Sequence, residues 1–490
     1  MTKESNTPNR GRRPKGVVTE QSERTNRELP GHNNRPREIT ELRIVYLPAE
    51  SLRPSPYQAH THNQKHLAQI EASIRAFGHV VPILIRPDLT IINGHAILEA
   101  AVSLGMSDVP TICLNEHDDA ELRALALSLN RLAEKGGWDE QVLKAEFEFL
   151  AIQNFAFELE ISGFETLEID NILDCEVLRQ EDTDDDVMPV DENVQPVAQE
   201  GDVFRLGKHI LVCGDAREQR AYLAALGDAK ADLIFTDPPY NVKIQGNVAG
   251  SGKNTYREFA MASGEMSPTE FTEFLRCVFC LLCSHCRDGS IHFIAMDWRH
   301  MQEILSAGLG AYTELKNVCV WNKSNAGMGT FYRSKHELFF VFKNGSAKHV
   351  NNFGLGETGR YRTNVWEYPS PSALGPDRSA QLEMHPTVKP VSLVADAIRD
   401  CSKRGDLILD PFCGSGTTII AAAKTGRHAR CIELDPLYVD TAIRRWQKWS
   451  EKEAVHIGSG RTFDEIEANG RTVVKPRARA RQRRREVKHG

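Results

Sequence analysis

At 490 residues, with 41% hydrophobic residues and a formal net charge of −7, the chain has the composition of a globular protein of about three domains. It lacks an apolar run of the about 18 residues that a membrane helix needs, and its start, MTKESNTPNRGRRPKG, is polar, so neither a membrane span nor a secretory signal is expected. The cysteines number 11, an odd count scattered through apolar segments, which predicts free thiols in a reducing cytoplasm rather than a disulfide framework.

Residues 1–38 are polar and arginine-rich, which predicts a disordered basic arm. Its RGRRPKG stretch (Arg10 to Gly16) has the composition of short hooks that enter A·T-rich minor grooves, although a solvated arm explains it as well. Residues 39–135 read as a small α+β block. LRIVYLP is a strand, HLAQIEASIRAFG a helix closed by Gly78, PILIRPD and TIIN two strands, and GHAILEAAVSLG a helix. DVPTICLN adds a strand, and DDAELRALALSLNRL a helix with acids at its start. The INGH turn is suggestive, because a glycine ahead of a helix exposes N–H groups that suit a phosphate. Through GHAILEAAVSLG and the strand–helix rhythm before it, this block resembles the ParB/sulfiredoxin-like N-terminal fold. In the partition proteins of that family the turn carries arginines and binds a nucleotide. Here Ile97 stands where relatives commonly place an arginine, so the resemblance implies a structural or DNA-engaging module before a nucleotide site. Residues 136–178 predict a small helical bundle without chemistry of its own, and the acidic, proline-bearing residues 179–202 a solvated linker.

From residue 203 to 450 strands and helices alternate, which predicts an α/β domain with a mostly parallel sheet covered by helices. One helix, SPTEFTEFLRCVFCLLCSHC, starts at Ser267 or Pro268 and carries Cys277, Cys280, Cys283 and Cys286. Each step of three residues rotates by about −60°, so four thiols on a continuous helix cannot reach one metal ion. Buried free thiols, and no metal, are expected. Ligands of such sheets bind beyond the carboxyl ends of the strands, where the corners Asp237-Pro238 and Asp410-Pro411 fall. DPFCGSG (Asp410 to Gly416) reads strand, tight glycine turn, helix: the layout of a cofactor loop. Glu433 ends the next strand, about twenty residues on, where an acid accepts both ribose hydroxyls of a nucleoside. The loop is not G-x-G-x-x-G, and S-adenosylmethionine fits it at least as well as NAD.

TDPPY explains itself once such a loop is beside it. An exocyclic base amine is a poor nucleophile, because its lone pair is delocalised into the ring. Acceptors for its N–H groups, here Asp237 and the carbonyl of Pro238, favour a pyramidal nitrogen during attack. Tyr240 offers a ring face for the base, worth about 1–3 kcal/mol, and the prolines fix the corner. Taken with HPTVKP and DPFCGSGTT, in that order, residues 201 to 449 resemble an S-adenosylmethionine-dependent DNA amino-methyltransferase of the permuted β class. The resemblance implies a Rossmann-like domain with Asp237, Pro238, Pro239 and Tyr240 as the catalytic motif. It implies cofactor contacts from Asp215, Asp237, Pro386, Thr387, Lys389, Asp410, Phe412, Gly414, Ser415, Gly416 and Glu433. Thr387 and Lys389 would lie near the methionine tail of the cofactor, and Asp215 near its adenine.

Residues 324–384, rich in glycine, arginine and aromatics, fall where that family reads its target. Arg333, Lys335, Arg360 and Arg362 are candidates for phosphate or guanine contacts, and Tyr332, Tyr361 or Trp366 for the space an extruded base leaves. Residues 451–490 end in KPRARARQRRREVKHG and predict a basic disordered tail. The expected partner is double-stranded DNA, with a homodimer left open, and the expected activity is methylation of adenine N6, since DPPY resembles the adenine enzymes more than SPPY does. Alternatives are cytosine N4, an RNA or protein glutamine substrate, or a ParB-like scaffold without methyl transfer. A ParB-like block ahead of such a domain is an arrangement associated with phage and mobile-element enzymes.

Overall fold

The computed structural model describes residues 42–59, 61–152, 159–174, 195–242, 261–324, 331–353, 362–369 and 388–469. The Arg10–Gly16 hook, the acidic stretch up to residue 194 and the tail from residue 470 lie outside the described residues. The chain divides into two compact units, Met1–Thr61 with His79–Leu129, and His62–Gly78 with Asn130–Gly490.

Residues up to 174 contribute β1 (Ile44–Pro48), α1 (Gln64–Phe77), β2 (Ile83–Ile85), β3 (Ile91–Asn93), α2 (His95–Ser103), β4 (Asp108–Cys113), α3 (Asp119–Glu134), α4 (Glu140–Ile152) and α5 (Thr166–Asp174). The first unit is built on a four-stranded sheet of order β1-β4-β2-β3, with Ile83, Ile85, Ile91, Ala101 and Val109 in its core. The helix α1 ends as its sequence predicts, with Gly78 at φ 81° and its N–H on Ile74 O at 2.9 Å. It belongs to the second unit rather than to the sheet it precedes in sequence. There it meets the turn Leu159–Ser162, with Lys65 paired to Glu165 and Gln69 donating to Gly163 O at 3.3 Å.

The rest of the second unit continues with β5 (Val203–Leu206), β6 (His209–Cys213), α6 (Gln219–Leu226), β7 (Ala231–Thr236), α7 (Pro268–His285), β8 (Cys286–Met296), α8 (Met301–Ala311), β9 (Glu314–Asn322), β10 (His336–Lys343) and β11 (Val365–Glu367). It closes with α9 (Val391–Cys401), β12 (Leu407–Asp410), α10 (Thr417–Lys424), β13 (His428–Glu433), α11 (Pro436–Ser450), β14 (Val455–His456) and α12 (Phe463–Asn469). Ten strands form one sheet of order β11-β9-β10-β8-β7-β12-β13-β6-β5-β14. Its heart, β8-β7-β12-β13-β6, is parallel, and the hairpins on either flank make the whole sheet mixed. The late strands β12 and β13 insert between the early strands β7 and β6, which brings the carboxyl ends of all four together.

Three expectations are corrected. The last residues of the expected solvated linker are built into the domain: Val197 N and Ala198 N donate to the buried carboxylate of Asp440 at 2.7 and 2.9 Å, and Ala198 is fully buried. The start of the expected disordered tail is also folded, since β14 extends the sheet and Phe463 and Ile466 enter its core. Apolar residues spaced through AVHIGSGRTFDEI were the signal for the folded start of the tail. The helix α7 opens with a capping box between Ser267 and Glu270, but it carries only three of the four cysteines. Cys286 starts β8, and Cys277 and Cys280 are exposed rather than buried.

The helical segment is anchored by charge. Asp170 on α5 is buried, and its Oδ1 accepts from Arg427 and Arg404, each at 2.9 Å. Arg427 is itself fully buried, so the pair is a fixed joint rather than a surface contact.

Candidate active site

The two acid–proline corners stand side by side because their strands do. β7 and β12 are parallel neighbours, so Asp237, one residue past β7, and Asp410, the last residue of β12, emerge at one end of the sheet. Thr236 Oγ1 donates to Asp410 Oδ1 at 2.8 Å and ties the corners together. Thr418 Oγ1 donates to Asp410 Oδ2 at 2.6 Å, and Phe412 N to Oδ1 at 3.1 Å. Asp410 is therefore a buried brace for the loop that follows it. Burial pushes its carboxyl up to about 6, against the pull of the threonine hydroxyls.

The loop reaches α10 through Gly414 (φ 52°) and Gly416 (φ 86°). A Cβ at residue 416 would stand 3.0 Å from Ala442 Cβ on α11, so backbone conformation and close packing both demand glycine. A Cβ at residue 414 would meet nothing within 4 Å, which leaves that wall of the cleft open. Glu433, the last residue of β13, faces the loop. Its Oε2 accepts from Gly414 N at 2.7 Å and its Oε1 from Asp435 N at 2.9 Å. A carboxylate has about four acceptor sites, so each oxygen keeps one for a further donor, as two adjacent hydroxyls require. Burial pushes the Glu433 carboxyl up to about 7. The open glycine wall and the half-used carboxylate fit the nucleoside and amino-acid ends of S-adenosylmethionine.

Asp237, Pro238, Pro239 and Tyr240 line the same cleft as Phe412, Gly414, Ser415 and Glu433. Asp237 is 26% exposed and so reachable from the cleft. Its Oδ1 accepts from Tyr240 Oη at 2.6 Å and its Oδ2 from Lys389 Nζ at 2.5 Å. Lys389 is only 4% exposed, and its ammonium also meets Glu337 Oε2 at 2.9 Å and Tyr240 Oη at 3.2 Å. Lys323 pairs with the other oxygen of Glu337. Burial pushes the Asp237 carboxyl up, and Lys389 opposes that push while Glu337 adds to it. Burial raises Glu337 too, but Lys389 and Lys323 outweigh it and hold that carboxyl down to about 2.

Sequence reasoning missed Glu337, Lys323 and Asn241. The signal for Glu337 was present, since a charged residue opens the otherwise apolar run HELFFVF and is buried there. Asn241 adopts φ 52°, which Asn tolerates better than most residues. Its side chain donates to Met266 O at 2.8 Å and accepts from Gly264 N and Met266 N at 3.1 and 3.2 Å, fixing the backbone that follows Tyr240.

The other expected residues divide. Ser415 is buried, with its Oγ 3.2 Å from Arg445 Nη1, and the Phe412 ring lies tilted to that of Phe274 with centroids 6.1 Å apart. Asp215 is spent on Arg217, which binds it through side chain and backbone, and its neighbour Ala216 lines the cleft in its place. Arg333 and Lys335 are exposed, beside the exposed ring pair Phe331–Tyr332 whose centroids lie 4.5 Å apart. Arg362 corrects the expectation of a DNA contact: it pairs with Asp400 at 3.2 Å and donates to Tyr368 Oη at 2.7 Å. Trp366 is likewise a core residue, 4% exposed in β11, and cannot fill the space of an extruded base. Pro386, Thr387, Arg360 and Tyr361 lie outside the described residues.

Residues 231–444 match the family model described as DNA methylase, and residues 33–130 match the ParB N-terminal domain. Type II methyltransferase M.HinfI of Haemophilus influenzae is 29% identical over 47% of this chain and 66% of its own length. Type II methyltransferase M2.DpnII of Streptococcus pneumoniae is 27% identical over 51% of this chain and 93% of its own. The crystal structure of an M1.HpyAVI–SAM complex, 23% identical, covers 48% of this chain and 97% of its own, with a TM-score of 0.35.

Proposed function

We propose that this chain, which carries a DNA methylase domain behind a ParB N-terminal domain, transfers a methyl group from S-adenosylmethionine to the exocyclic amine of an extruded base in duplex DNA. Adenine N6 is the preferred target, on the DPPY form of the motif. The observation that carries the reading is the convergence of Asp237, Tyr240, the glycine loop and Glu433 on one cleft.

When bound, S-adenosylmethionine supplies a methyl group on a positively charged sulfur. Glu433 holds ribose hydroxyls through the acceptor sites its backbone partners leave open, and the glycine loop gives the methionine end close access to backbone. Asp237 accepts an N–H of the target amine, and the Pro238 carbonyl accepts the other. Both contacts would draw the nitrogen lone pair out of ring conjugation and toward the methyl group that the cofactor supplies. The amine then gives up a proton, for which the Asp237 carboxylate is the acceptor in reach. Lys389 is an ammonium in this cluster and cannot serve as that base. Tyr240 stacks on the base, and base extrusion is required because no stacked amine can reach the corner.

Arg333, Lys335 and the basic tail beyond residue 470 add phosphate contacts, and the ParB-like block places or retains the enzyme on DNA. Residues 197–469 form the catalytic domain in this reading, with target recognition within 324–384. A cytoplasmic enzyme, and a phage or mobile-element origin, are part of the same proposal.

The test is methyl transfer from labelled S-adenosylmethionine to unmethylated duplex DNA, read at base resolution beside Asp237→Ala. Transfer confined to adenine in one short sequence, and lowered by about 10²–10³-fold in the variant with cofactor binding kept, is expected. Transfer only to cytosine would move the target to N4. Cofactor binding without transfer to DNA would move the substrate to RNA or protein.

A further inference from the structure

The ammonium of Lys389 has three protons, and among the acceptors around it are Asp237 Oδ2 at 2.5 Å, Glu337 Oε2 at 2.9 Å and Tyr240 Oη at 3.2 Å. Tyr240 has one proton and two carboxylates in reach, Asp237 Oδ1 at 2.6 Å and Glu337 Oε2 at 3.3 Å. Each Asp237 oxygen thus accepts one donor and keeps about one further acceptor site before any amine arrives, so an amine held there competes with Lys389 and Tyr240 for the same carboxylate and weakens their hold on it. A displaced donor in a buried site needs another acceptor, or its loss opposes binding. Glu337 is that acceptor, within reach of both donors and itself balanced by Lys323. Two carboxylates and two ammoniums make the cluster neutral as a whole.

Building on the reading of the cleft as a site of amine methylation, we infer that Glu337 is a positioning residue for the reaction. It takes over the Lys389 ammonium and the Tyr240 hydroxyl as the target amine displaces them from Asp237. Lys323 sets how strongly Glu337 competes. No bond is made or broken in this exchange, which only reassigns hydrogen bonds. Asp237 keeps its charge and turns more of its acceptor capacity to the amine at the moment it is needed.

Two neutral substitutions test this with opposite signs. The groups facing Asp237 are Tyr240 on its own loop, Lys389 ahead of α9, Glu337 on β10 and Asp410 at the end of β12, with Lys323 one step behind Glu337. Glu337→Gln removes a negative charge, so Asp237 holds its proton less and the acid limb of the single-turnover rate moves to lower pH. Its plateau rate falls about tenfold or more, because a neutral amide oxygen holds the displaced ammonium less strongly than a carboxylate does. Lys323→Gln removes a positive charge, and the acid limb moves to higher pH. In both variants the dissociation constant for S-adenosylmethionine stays within about twofold of wild type. Opposite limb shifts report the charges that Asp237 senses, and the exchange itself is read in the plateau of Glu337→Gln, so an unchanged plateau, or limbs that do not move, overturns the inference. An NMR titration of Asp237 in the full chain, with labelled aspartate carboxyls, reads the same coupling without turnover. If the wild type proves inactive on every substrate, opposite shifts keep the coupling of Glu337 to Asp237 while the amine-methylation reading fails. An unshifted titration overturns the exchange whatever the wild type does.

Discussion

Gly94 and Gly416 occupy the same local position in two different turns. Each ends a strand-to-helix loop as the N-cap of the helix, at φ 107° and 86°, with ψ 21° in both. The backbone N–H groups of α2 and α10 are presented alike, and sequence alone read both turns as able to receive an anion. What surrounds them differs. Around Gly416 stand Asp410, Glu433 and the Asp237 corner, delivered by three adjacent parallel strands. Around Gly94 the nearest atoms to a Cβ belong to Ile83, His95 is spent as acceptor for Ser55 N at 3.1 Å, and Ile97 packs on the core. A glycine turn at a helix start is therefore a frame, and it becomes a site only when neighbouring strands bring side chains with acceptor capacity to spare.

The largest effect that sharpens this contrast is expected at Glu433. Glu433→Gln keeps the shape of the side chain and removes its charge, and hydrogen bonds to charged groups contribute about 1.5–3 kcal/mol each. Cofactor affinity at pH 8 should fall by about tenfold to a hundredfold, measured by equilibrium binding. Because burial lifts the carboxyl to about 7, the wild type is ionised at pH 8 and increasingly protonated below pH 7. Affinity of the wild type should therefore weaken as pH falls from 8 to 6 and approach that of the variant, whose own affinity stays flat over this range. A flat wild-type profile would remove Glu433 from the ribose.

The next effect comes from one substitution made at both turns. Gly416→Ala and Gly94→Ala each force a side chain into the left-handed region, at a cost of about 1–2 kcal/mol. At residue 416 the new Cβ also meets Ala442 at 3.0 Å, and the cofactor loop cannot keep its shape without a shift. Loss of cofactor affinity is expected there. At residue 94 the contact with Ile83 is 3.3 Å, and the expected result is weaker protection of the four-stranded sheet in hydrogen exchange with cofactor affinity unchanged.

The contrast also shows why the sequence was legible where it was. The parallel heart of the sheet followed from alternating strands and helices, and the catalytic corner and loop from residues contiguous in sequence, TDPPY and DPFCGSG. What stayed hidden joins distant positions. Lys389 was expected near the methionine tail of the cofactor and is found on Asp237, because only the insertion of β12 between β7 and β13, and the start of α9 behind it, sets them together. Glu337 and Lys323 join that cluster through the β9–β10 hairpin, and no local pattern relates either to TDPPY. Arg362 failed in the other direction. Composition suggested a DNA contact, but Asp396 and Asp400, on a helix more than thirty residues on, claim its guanidinium.

The smallest expected effect tests the quiet turn directly. His95 sits where the helix N-terminus would greet a ligand, yet its Nε2 satisfies the backbone of Ser55. His95→Ala leaves that N–H without its acceptor, which should cost about 1 kcal/mol, seen as faster exchange of the Ser55 amide in the full chain. Methyl transfer and cofactor affinity should stay as in wild type, because nothing in the cleft depends on this residue. A variant that holds its fold but loses transfer or DNA retention would show that the turn acts on the substrate. The four-stranded unit would then be part of the working site, and the distinction drawn between the two glycines would fail at its simpler end.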